Sequence, residues 1–178
     1  MKRGGTANQL NQATATAETS TGAKSIVGNL NISGGAVTVG TTGTYSIQLG
    51  NNTASVATVT DAINLTGGTL TVAGDIIMGT TTRTTSTLTL NGGTLDMGGF
   101  KIGGSAASNN LTTLTFASGT LRNVAQINNG AAITKTTAGT LILDGTNAYT
   151  GATTISAGTL QVGAGGSAGT TGTGNIVN

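Results

Sequence analysis

Cysteine, histidine, proline and tryptophan are all absent from the 178 residues. That removes thiol nucleophiles, disulfide frameworks, Cys/His zinc sites and hydrolase triads built on histidine. Charged residues are only 7% of the chain, with seven cations against five anions and no Lys/Arg cluster. Two Tyr and two Phe are the whole aromatic complement, too few to stack on bases, so nucleic acid is not an expected partner. No apolar run is long enough to span a bilayer. Met1-Lys2-Arg3 is basic, but the stretch that follows to Lys24 is dominated by Thr, Ala, Asn and Gln. It therefore lacks the apolar region of a secretion leader, and an exported chain would draw its signal from elsewhere. Bulky apolar residues are also too sparse for a thick two-layer core.

Glycine is abundant instead, at 31 residues, and it recurs in a pattern. Six small-residue pairs end in Gly35, Gly68, Gly93, Gly119, Gly139 and Gly158, spaced by 33, 25, 26, 20 and 19 residues. Two residues after each stands Val37, Leu70, Leu95, Leu121, Leu141 or Leu160. Four residues after come Val39, Val72, Met97, Asn123, Leu143 and Val162, where Val124 takes the place of Asn123 by a one-residue slip. Three residues before are Ile32, Leu65, Leu90, Phe116, Thr136 and Ile155. Alternation within each arm is that of a half-buried strand. The odd spacing between the two inward pairs requires a corner that resets the facing, which glycine allows through positive φ. Ala36 and then Thr69, Thr94, Thr120, Thr140 and Thr159 follow the corners and face outward as a ladder. Between corners, Tyr45 to Leu49, Asp75 to Met78 and Phe100 to Ile102 read as a third strand, with polar segments such as Gly50 to Thr53, Thr80 to Ser86 and Gly103 to Asn110 as loops.

Units this short cannot bury their own apolar faces and must stack. The expected fold is therefore all-β, a parallel β-helix or β-solenoid of about six to eight rungs, roughly 30 to 40 Å long at the inter-strand spacing. Residues 26–178 form the solenoid. Residues 1–25 do not fit the repeat and are expected to be a flexible tail, a cap or a subunit-pairing segment.

The run from Thr137 to Gly163 contains Gly139-Thr140-Leu141, Gly145-Thr146-Asn147, Tyr149-Thr150-Gly151, Thr153-Thr154-Ile155 and Gly158-Thr159-Leu160. It closely resembles the autotransporter-associated β-strand repeat of bacterial type V secretion passengers. The resemblance covers residues 137–163, and the other corners share only its Gly-Thr-Leu fragment. It implies a right-handed helix, an extracellular or outer-surface location and an adhesin-like stalk. It carries no catalytic residue to transfer.

The carboxylates are Glu18, Asp61, Asp75, Asp96 and Asp144. Counted from their corner glycines, Asp75, Asp96 and Asp144 stand at plus seven, plus three and plus five, so they are expected not to align as a catalytic pair or a Ca²⁺ cluster. No enzyme activity, cofactor or metal is expected. Tyr45 and Tyr149 are the aromatics able to stack on sugars. Asn31, Asn51, Asn64 and Asn110 fit the glycosylation acceptor pattern.

The segment Gly174 to Asn178 resembles Gly28 to Ile32 at the start of the first repeat. This suggests that the last rung of one copy is continued by the first rung of the next, through Ile26, Leu30, Ile32, Ile176 and Val177. The result would be a homopolymeric filament, since a head-to-tail contact does not close. The competing readings are the remainder of a longer passenger and an adhesin segment that binds glycans through the loops Tyr45 to Thr58 and Thr80 to Thr87. A polysaccharide-active enzyme is the least favoured.

Overall fold

A computed structural model describes residues 10–15, 24–40, 45–52, 57–79, 83–165 and 169–178. Those residues form an all-β solenoid in which every strand pairing is parallel. Its strands are β1 (Leu10–Ala15), β2 (Lys24–Val39), β3 (Tyr45–Asn52), β4 (Ala57–Val72), β5 (Asp75–Met78), β6 (Thr84–Asp96), β7 (Lys101–Ile102), β8 (Thr113–Arg122), β9 (Gln126–Ile127), β10 (Ile133–Lys135), β11 (Thr140–Asp144), β12 (Thr153–Ile155), β13 (Thr159–Val162) and β14 (Ile176–Val177). They stack into a six-stranded sheet in the order β13-β11-β8-β6-β4-β2, a five-stranded sheet β1-β3-β5-β7-β9 and a three-stranded sheet β10-β12-β14. Six rungs thus share the longest face. Within residues 1–25, Leu10–Ala15 pairs with β3 as the outermost strand of the five-stranded sheet.

The core is a set of ladders rather than a sandwich. Ile47, Ile76, Ile102 and Ile127 lie in one column on successive rungs, each fully buried. Ile32, Leu65, Leu90 and Phe116 form a second column, and Val37, Leu70, Leu95 and Leu121 a third. Each fully buried Leu or Ile contributes about 1.5–3 kcal/mol over exposure, so a core one side chain deep is sufficient when every rung repeats it.

In β2, β4, β6 and β8 the chain runs through its glycine corner as one strand, with register irregularities at the corner in the β2–β4 and β6–β8 pairings. Gly35, Gly68, Gly93 and Gly119 have φ of 71°, 71°, 68° and 102°, the left-handed region that side chains with a Cβ avoid. Steric approach adds a second requirement. A Cβ on Gly68 would lie 2.5 Å from the Gly35 carbonyl oxygen, and one on Gly93 would lie 2.6 Å from that of Gly68. Gly35 itself has nothing within 4 Å of that position among the described residues. The stack therefore closes on glycine from below at each inner corner and leaves the first corner open.

Candidate functional site

The fifth corner departs from the sequence reading. Gly139 is not in the left-handed region; its smallness admits Ser118, whose Cβ would stand 2.8 Å from an added Cβ. Opposite β8, Leu141 faces Gly119 and Leu143 faces Leu121, a slip of two residues from the alignment that set Leu141 against Leu121. Thr120 accordingly pairs with Ile142 rather than Thr140, and the threonine ladder breaks there. Regular pairing resumes one rung later, with Thr140 opposite Thr159 and Leu141 opposite Leu160. The residues ahead of this corner depart from the expectation as well. Ile133 and Lys135 point inward and Thr136 outward, so the inward position expected at Thr136 is filled one residue earlier. The Lys135 Nζ donates to the Thr137 carbonyl and, at 2.8 Å, to the Thr137 hydroxyl. That hydroxyl in turn donates to the Ala117 carbonyl at 2.7 Å, tying the extra residues to the rung below.

The slip corrects the expectation for the carboxylates. It brings Asp144 into the column of Asp96, with Arg122 between them in register. The Arg122 Nε lies 3.5 Å from Asp96 Oδ2 and 3.7 Å from Asp144 Oδ2. The two carboxylates are thus at most about 7 Å apart, close enough to weigh as a pair of acids, whose inverting form holds a water between them. Here the guanidinium fills the gap that such a pair leaves for water. Asp96 Oδ1 also accepts from the Gly98 N–H at 3.0 Å and from Asn123 Nδ2 at 2.9 Å. The arrangement is a partly exposed ion-pair ladder across three rungs. Asp75 lies on another sheet, its Oδ1 accepting from the Lys101 N–H at 2.8 Å. Among the described residues no group of three or more acidic side chains could hold a metal ion.

Several polar residues act as staples, a role that motif reading did not assign to them. Asn147 is buried and joins three rungs. Its Oδ1 accepts from the Val124 N–H at 3.1 Å, and its Nδ2 donates to the carbonyls of Asp144 at 3.0 Å and Thr170 at 2.8 Å. Asn64 Nδ2 donates to Asn31 Oδ1 at 2.8 Å and Asn110 Nδ2 to the Asn128 carbonyl at 3.3 Å, so three of the four asparagines in acceptor patterns serve the stack; the Asn51 side chain lies outside the described residues. Tyr149 is fully buried, with its hydroxyl 2.9 Å from Thr153 Oγ1, which removes it as a sugar platform. Asn123 takes a positive φ of 55° and Val124 is buried beside it.

The predicted end residues divide. Ile176 and Val177 are each 51% exposed, Leu30 is half-buried and Ile32 is buried in the core; the Ile26 side chain lies outside the described residues. Two other end-strand residues stand out instead, Val27 on β2 and Val162 on β13. Of the proposed glycan loops, residues 53–56 and 80–82 lie outside the described residues.

Asp61 is the one buried carboxylate among the described residues. Its Oδ2 accepts from the Gly50 N–H at 2.6 Å and the carboxylate also accepts from the Gly28 N–H, while Oδ1 has no partner. Burial raises its pKa above the usual carboxylate value, with the two N–H groups opposing the rise. A raised folded-state pKa means the native state binds the proton more readily than the unfolded chain. The associated stability is complete below the unfolded pKa and is lost as pH climbs through the folded one. Urea unfolding across pH 3–8 should show that decline, and Asp61→Asn should remove it; an unchanged pH slope in the variant would refute the assignment.

These features define a parallel β-solenoid whose polar groups mainly hold rungs together. The family model Passenger-associated-transport-repeat, an autotransporter passenger repeat, matches residues 133–162. The matched segment starts four residues before the run recognised in sequence and takes in β10 and its inward Lys135. No described helix is long and apolar enough to cross a membrane. No curated protein and no solved structure matches the chain.

Proposed function

We propose that the chain is a structural stalk element of a secreted or surface-displayed passenger, extended at its ends by head-to-tail contact with another copy. The observation that supports this reading is where apolar surface remains. Of the five large hydrophobics exposed among the described residues, Val27 lies on the first strand of the six-stranded sheet, Val162 on its last, and Ile176 and Val177 on the last strand of the three-stranded sheet. Only Phe100 lies on the flank. Unpaired edges with apolar side chains favour strand addition. The open space above Gly35 is where the inner corners receive a preceding rung, and β13 would lie along residues 36–39 of the next copy if the repeat register continued. Rungs of a longer passenger could cover the same edges, and the adhesin role is the second reading.

Sedimentation velocity and electron microscopy of the concentrated chain test the contact. Unbranched rods longer than one copy are expected, shortened or abolished by Ile176→Lys with Val162→Lys. Monomers alone at high concentration would overturn head-to-tail assembly.

A further inference from the structure

A cleft of about 300 Å³ opens on the flank of the stack, lined by Tyr45, Asp75, Ile77, Gly104, Ser105 and Asn109 among others. Its parts come from two successive rungs and one loop. Tyr45 and Asp75 begin β3 and β5 and are register partners, so the aromatic ring and the carboxylate belong to neighbouring strands. The segment after β7 folds over the same face through a short 3-10 turn at Ala107–Asn109. Asn109 is held there by its Nδ2, which donates to the Met78 carbonyl at 3.1 Å. Lys101 fixes the opposite side, with its N–H donating to Asp75 Oδ1 at 2.8 Å and its Nζ to Ser105 Oγ at 2.8 Å. These bonds leave Asp75 Oδ2 and Asn109 Oδ1 as acceptors, with the Ser105 hydroxyl as donor.

We propose that this cleft binds one ring of a neutral saccharide. The volume is at the small end of ligand sites and suits a single ring better than an extended peptide. Asp75 is the one charged side chain in the lining, with the Lys101 ammonium held outside it on Ser105 Oγ, so the carboxylate disfavours an anionic ligand. Carboxylate and amide oxygens accept and the Ser105 hydroxyl donates, so the lining offers both donors and acceptors, as a polyhydroxylated ring requires. Tyr45 and Ile77 give the apolar surface against which the C–H face of a sugar packs. The cleft is on the flank, so its occupancy is independent of contacts at the ends.

The test is an array of neutral oligosaccharides built from glucose, galactose, mannose and N-acetylglucosamine, followed by calorimetry on the full chain with the sugars retained. Saturable binding is expected, changing less than twofold between 50 and 500 mM salt because the ligand carries no charge. Tyr45→Ala should weaken it at least tenfold and Tyr45→Phe less than threefold. Ala106→Trp, which plugs the mouth from an exposed position, should abolish binding without changing the melting temperature. Three results would each overturn the proposal: no binding on the array, binding unaffected by both Tyr45→Ala and Ala106→Trp, or binding confined to anionic polymers such as heparin with steep salt dependence.

Discussion

Gly93→Ala should destabilise the solenoid by about 3 kcal/mol or more, and Gly35→Ala by only about 1–2 kcal/mol. The two residues have nearly the same backbone conformation, φ 68° and 71°, so both variants carry the left-handed cost of roughly 1–2 kcal/mol that a Cβ imposes. They differ in what that Cβ meets. At Gly93 it lies 2.6 Å from the Gly68 carbonyl oxygen and 2.7 Å from the Gly67 carbonyl carbon, whereas at Gly35 nothing is within 4 Å. Backbone cannot rotate aside as a side-chain tip can, so the rungs on either side of Gly93 must part. Overpacking of this kind costs about 1–3 kcal/mol more. In a solenoid the penalty falls on a nearest-neighbour interface, which carries much of the stability. Urea unfolding followed by circular dichroism measures both, and equal losses would show that conformation alone, not stacking, fixes the glycine requirement.

Most of the architecture was legible because the code is short. Period-two alternation broken by a glycine pair marks a corner, and the third strands at Tyr45 to Leu49 and Asp75 to Met78 fall within β3 and at β5. Asp61 was also readable by parity, since it alternates in step with Val59, Ile63 and Leu65 and shares their burial. Lys135 keeps step with Ile133 in the same way. A motif search passes over both because it counts charge as surface.

The two-residue slip was hidden by the repeat itself. Gly139-Thr140-Leu141 copies the fragment that elsewhere marks a corner in the left-handed region, yet Gly139 does a different steric task. The available signals were negative ones: polar Thr136 where an inward residue belonged and Asn123 where the fourth copy needed an apolar one. Asp96 and Arg122 each stand three residues after their corners and pair in the motif register, but Asp144 joins their column only through the slip, so an alignment by motif could not place it there. The flank cleft was hidden for another reason. Asp75 and Asn109 are 34 positions apart in the chain, and only the loop's path over the sheet brings them together.

Register mapping by engineered disulfides tests the stacked and slipped solenoid most directly, and the chain offers no native cysteine to interfere. Thr120 and Ile142 are paired across β8 and β11, on strands about 4.8 Å apart, which suits the Cα separation of a disulfide. Thr140 lies two residues along, about 8 Å from Thr120 at strand rise, beyond the span that a disulfide bridges. Thr120→Cys with Ile142→Cys should therefore oxidise nearly completely under mild conditions, while Thr120→Cys with Thr140→Cys stays reduced. The reverse preference would contradict the slip, and failure of both pairs would contradict the parallel stack.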